Sequence, residues 1–143
     1  MLDVSLNTVK NDLVNNLIKI TLFYPMTKHK HFKLLKAINI ELSNGFKILI
    51  PEGFVFDGSS APKFLWWLFP SYGDFFMAAL IHDFLYQQQF GVENMGLKEA
   101  QKFADKEMLI WSNVVHCETT LDKIDNYLRY YAVRLFGKKV FRK

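Results

Sequence analysis

Hydrophobic and polar positions divide the chain into a β-rich first third and a helical remainder. Residues 17–24 are apolar and β-branched, interrupted by Lys19, and Pro25 ends the run. Residues 32–42 form a second candidate strand. Ser43-Asn44-Gly45 is a turn signal, because asparagine and glycine reach the backbone conformations that tight hairpins need, and residues 46–50 follow as the paired strand. Pro51-Glu52-Gly53 makes another turn before Phe54-Val55-Phe56. A small antiparallel sheet is predicted, while residues 7–16 read equally as a short helix or a loop.

Beyond residue 72 the period becomes helical. Residues 72–88 predict a first long helix, 91–96 break it, and 97–115 predict a second with no Pro or Gly inside. Thr119 or Thr120 is the candidate N-cap of a third helix running to about Phe136, with Asp122 and Asp125 in its early turns and Gly137 as its stop. The expected architecture is α+β: an N-terminal antiparallel β-region, then a core of two antiparallel helices, then a C-terminal helix. One domain over 1–143 is expected, with a β-rich part (1–56), a site loop and aromatic cluster (57–71), a helical part (72–137) and a basic tail (138–143).

Composition narrows the classes. Half of the 143 residues are hydrophobic and 16% are aromatic, enough for a folded core rather than a disordered chain. The single cysteine, Cys117, excludes an intrachain disulfide and a cysteine-rich zinc site, and fits synthesis in a reducing cytoplasm. A net charge of +4 is too mild to point to nucleic acid, so no nucleic-acid partner is expected. Arg134, Lys138, Lys139, Arg142 and Lys143 read as a solvated tail, or as a contact for an anionic surface or acidic partner. No signal peptide is evident, and the longest uncharged central stretch, 64–73, is too short to span a bilayer. His29, His31 and His116 read as solvated, which argues against a zinc site.

The chemistry sits in His82-Asp83-Phe84-Leu85-Tyr86, which follows the apolar run 75–81. Adjacent His and Asp side chains on a buried helix are costly unless partnered. Phe75, Ala79, His82 and Tyr86 share one helical stripe, and Asp83 points about 100° further round. The short break at 91–96 folds the next helix back, so that Asp105 can face His82. A carboxylate on one imidazole nitrogen fixes the tautomer and leaves the other nitrogen to take a proton from water. Asp57 and Gly58, in the loop leaving the sheet, together with Asp83 and backbone carbonyls, would suit a hard cation such as calcium. Metal-assisted ester hydrolysis by a His-activated water is one reading. A structural polar network that pins loop to helices weighs evenly against it. A Ser60–His82–Asp105 triad ranks lower, for want of a Gly-x-Ser-x-Gly elbow. Phe64, Trp66, Trp67 and Phe69 belong to a cluster that is partly core, with a remainder exposed as a surface for lipid or for a protein partner. Tyr127, Tyr130 and Tyr131 read as packing.

Pro51 to Pro62 with its Gly-Phe-x-x-Asp-x-x-Ser-x-Pro core, then His82-Asp83-Phe84-Leu85-Tyr86, then Ala104-Asp105, resembles an uncharacterised family common in tailed phages and prophages. The likeness covers roughly residues 30–137. The same positions are similar, over a shorter stretch, to prokaryotic phospholipases A2. By that resemblance His82 would be the base, Asp105 its orienter, Tyr86 a hydrogen-bond partner of Asp105, and Asp57 and Asp83 calcium ligands. Those enzymes have disulfides, and a Cys and an Arg before the His-Asp pair, where this chain has Leu80 and Ile81. The function expected is calcium-assisted hydrolysis of a phospholipid or related ester. The alternative is a virion or tail-associated component that docks on other virion proteins through its aromatic cluster and basic tail.

Overall fold

The computed structural model describes residues 2–9, 23–25, 32–56, 76–115 and 119–137. The chain divides into two compact units, Met1–Asp57 and Gly58–Lys143. The first carries β1 (Leu2–Val4), α1 (Leu6–Val9), β2 (Phe23–Pro25), β3 (Phe32–Leu34), β4 (Ile38–Glu41), β5 (Lys47–Ile50) and β6 (Val55–Phe56). Among the described residues these strands form two three-stranded sheets, ordered β1-β4-β5 and β2-β3-β6.

The β4–β5 hairpin follows from its turn. Gly45 takes φ +90°, a region closed to most side chains, and the Asn44 side-chain oxygen accepts from the Phe46 N–H at 3.1 Å. Ile40 then lies opposite Ile48 and Ile38 opposite Ile50. These four isoleucines are buried while Glu41, Lys47 and Leu49 are exposed, the period-two alternation of a sheet with one covered face. Val4, Val9, Leu34 and Leu42 are buried in the same unit.

Two features depart from the sequence reading. Residues 32–42 are not one strand: the chain bends at 35–36, and β3 and β4 join different sheets. Gly53, at φ +86°, turns the chain so that its N–H donates to the Leu34 carbonyl (2.8 Å), while the Leu34 N–H donates to the Phe54 carbonyl (2.9 Å). That return path commits β3 to β6, whereas the Asn44–Gly45 turn commits β4 to β5, and one straight strand cannot serve both. In addition, β1 joins β4 in parallel, although the β2–β3, β3–β6 and β4–β5 pairs are antiparallel.

The second unit is helical: α2 (Phe76–Gln87), α3 (Val92–Val115) and α4 (Thr120–Phe136). Gly96 interrupts α3 with φ 84° and ψ 165°, so the regular helix begins at Leu97, where the sequence predicts it. Ala100, Ala104, Met108 and Trp111 form its buried apolar stripe by i, i+4, i+8, i+11 spacing. Thr119 caps α4 reciprocally: its hydroxyl accepts from the Asp122 N–H (3.1 Å) and the Asp122 carboxylate accepts from the Thr119 N–H (3.0 Å). No helix among the described residues is long and apolar enough to cross a membrane.

Candidate functional site

The helix α2 is apolar nearly throughout, and residues 77–86 are buried without interruption, His82 and Asp83 included. It ends in a turn where Gln89 (φ 47°) and Gly91 (φ 86°) take left-handed backbone and the Phe90 N–H donates to the Leu85 carbonyl. The chain then runs back as α3, and Phe90 stacks on Phe103 with ring centroids 6.0 Å apart. This reversal brings Asp105 against the His82 stripe.

Asp105 is fully buried and takes three donors. Its Oδ1 lies 2.9 Å from His82 Nε2 and accepts from the Tyr86 hydroxyl at 2.5 Å. Its Oδ2 accepts from Arg134 Nη1 of α4 at 2.8 Å. The His82 and Tyr86 rings lie one turn apart on α2, with centroids 4.1 Å apart. One carboxylate therefore ties α2, α3 and α4 together. Both of its oxygens are engaged, as a buried anion requires.

Electrostatics follow from this burial. Removal from water, then the Asp105 charge and the hydrogen bond given to it, hold the Tyr86 phenol well above its ordinary pKa. Gln101, one turn before Asp105, opposes this shift by offering hydrogen-bonding stabilisation to a phenolate. It is buried and its side-chain nitrogen lacks a well-formed hydrogen bond among the described residues. An unfolded phenol ionises near pH ~10, so the unfolded chain loses this proton before the native one does. The stabilisation is therefore complete below about pH 10 and is lost as pH rises further. Urea unfolding across alkaline pH should show wild-type stability falling more steeply than that of Tyr86→Phe. Coincident slopes would mean that Asp105 does not hold the phenol.

Arg134 is the partner that sequence reading assigned instead to a basic cluster. No local spacing marks it; only its place among Ala132, Val133, Leu135 and Phe136 sets it apart. Gly137 stops α4 as its sequence predicts, and it does so with φ −74° rather than left-handed backbone. Its glycine is needed for space: a Cβ there would stand 2.5 Å from both the Tyr86 hydroxyl and the Val133 carbonyl. Tyr127 and Tyr131 are exposed rather than packed, because α4 turns Asn126, Arg129, Ala132 and Val133 inward.

Asp83 is buried beside His82 on α2. Asp57, Gly58, Ser60, Phe64, Trp66, Trp67 and Phe69, like His29, His31, His116 and Cys117, lie outside the described residues. Among the described residues no group of three or more His, Cys, Asp or Glu could hold a metal ion. A hard cation takes six to eight oxygens, so Asp83 by itself does not make a calcium site.

Fold and site together define an α+β protein with a buried His–Asp pair on two antiparallel helices, closed by a tyrosine and an arginine. The chain belongs to the family described as protein of unknown function, DUF1353, whose model matches residues 32–133. The match spans β3 to the last turn of α4 and includes His82, Tyr86 and Asp105. No curated protein and no solved structure shows a significant match to the chain.

Proposed function

We propose that this is a phage-type protein with a phospholipase-A2-like site, hydrolysing a phospholipid or related ester with calcium. The observation that carries the reading is the contact of His82 Nε2 with a buried Asp105 that also accepts from Tyr86. Asp105 accepts a hydrogen bond from Nε2–H, which leaves the lone pair on Nδ1 to take a proton from water as that water attacks the ester carbonyl. Tyr86 and Arg134 hold the carboxylate in place. Asp57, Gly58 and Asp83 would hold calcium, which would polarise the carbonyl when bound. Phe64, Trp66, Trp67 and Phe69 would meet the lipid surface.

The test is fatty-acid release from mixed phospholipid vesicles, with calcium and with chelator. Release is expected from wild type with calcium only, and from neither Asp83→Ala nor His82→Ala. Release that persists in His82→Ala, or none from folded wild type, overturns the reading.

A second reading is favoured by one observation: Arg134 neutralises Asp105, which weakens its help to a developing imidazolium. In that case the network serves rigidity, and the chain is a virion or tail-associated component docking through its aromatic cluster and basic tail. Incorporation into particles, lost on substitution of Trp66 or Trp67, distinguishes this role.

A further inference from the structure

The helix α4 is amphipathic the wrong way round. Its inner side carries polar groups: Asn126 Nδ2 donates to Asn113 Oδ1 of α3 (3.1 Å), Arg129 Nη1 donates to Asn126 Oδ1 (2.9 Å), and Arg134 reaches Asp105. Arg129 is buried there, and loss of water lowers its pKa. The outer side carries Leu121, Ile124, Leu128, Tyr131 and Leu135, flanked by Tyr127 and Phe136, all between 41% and 75% exposed. Between Thr120 and Tyr131 this side forms a groove without polar surface.

The spacing of the outer stripe suits another helix as its occupant. Steps of three, four, three and four residues from Leu121 to Leu135 are those of a seam that receives another helix knobs-into-holes. A lipid surface asks for a different design, an apolar side backed by free Lys and Arg. Here Arg129 and Arg134 are engaged on the inner side, and Lys123 is the one exposed cation among the described residues of α4. The seam is also close to a palindrome about Leu128, with Leu121 and Leu135 seven residues to either side and Ile124 and Tyr131 four and three away.

We propose that α4 pairs antiparallel with α4 of a second copy of this chain. Leu128 meets Leu128 on the two-fold axis, Leu121 of each copy meets Leu135 of the other, and Ile124 meets Tyr131. Antiparallel helices oppose their dipoles, which favours this orientation. Seven large apolar side chains, on average about half exposed, offer on the order of 700 Å² per copy, against about 800 Å² per partner in an ordinary specific interface. A patch of that size also exceeds what a monomer ordinarily leaves open, roughly 300–600 Å². Symmetric two-fold dimers are the commonest soluble oligomer, and this surface is self-complementary as they require.

Sedimentation equilibrium from about 1 to about 100 μM tests the pairing. Wild type should reach twice the 16.8 kDa chain mass, and Leu128→Glu, which sets two carboxylates face to face, should dimerise at least tenfold more weakly with unchanged circular dichroism. In a Cys117→Ser background, Leu121→Cys mixed with Leu135→Cys should cross-link to each other, and neither with itself. A monomer throughout the range, a dimer indifferent to Leu128→Glu, or Leu121→Cys linking to itself would each overturn the proposal. So would a monomer that floats with phospholipid vesicles through this face.

Discussion

Asp105→Asn is expected to lower the unfolding free energy by about 3 kcal/mol, the lower end of what removing one partner of a buried ion pair costs. Arg134 keeps its charge but loses the anion that justified its position, and its side chain is only about a quarter exposed. The amide also brings an N–H₂ into a site that holds three donors and needs acceptors. Urea unfolding measures the loss. Arg134→Met gives the control: the double variant should be more stable than the sum of the two single losses allows, since it removes the charge that Asp105→Asn strands. A single variant within about 0.5 kcal/mol of wild type would mean that the junction adds nothing to stability. In the hydrolase reading the same substitution also turns the imidazole to the wrong tautomer, a change that costs on the order of 10⁴ in rate in serine proteases built on a His–Asp pair.

Trp111→Ala is expected to cost about 3–5 kcal/mol, because it removes the largest fully buried side chain of α3 and leaves a cavity. For a chain of this size that lowers the melting temperature by on the order of 10 °C. The indole also does polar work, since its N–H donates to the buried Glu107 carboxylate one turn earlier, at 3.2 Å. Trp111→Phe keeps most of the volume and loses that donor, so its cost should fall to about 1–3 kcal/mol. Thermal unfolding of both variants separates packing from hydrogen bonding. If the two losses are equal, the hydrogen bond rather than the volume sets the contribution of Trp111.

Local chemistry explains which parts of this architecture are readable from residues. The hairpin at Asn44–Gly45, the break at Gly96 and the cap at Thr119 rest on backbone rules spanning a few residues, and each stands where its sequence puts it. The meeting of His82 with Asp105 needs one further step, a short connection that folds two helices back on each other. Arg134 needs a third helix docked at a particular rotation, and nothing in its neighbourhood encodes that rotation. The division of residues 32–42 between two sheets fails for the same reason, since partners β5 and β6 both come later in the chain and compete for it. Even α4 misleads a reader of hydrophobic pattern, because its apolar stripe is not the side it turns toward α3.

The Asp105 junction also has a history within each molecule's synthesis. His82 precedes Asp105 by 23 residues and Arg134 follows it by 29. At about 5–20 residues per second a ribosome needs roughly 1–6 s after making Asp105 before Arg134 exists. Until Arg134 exists, the carboxylate has its imidazole and phenol donors in the chain but no cation to complete the junction. Completion of the junction therefore waits for the last described helix to be made.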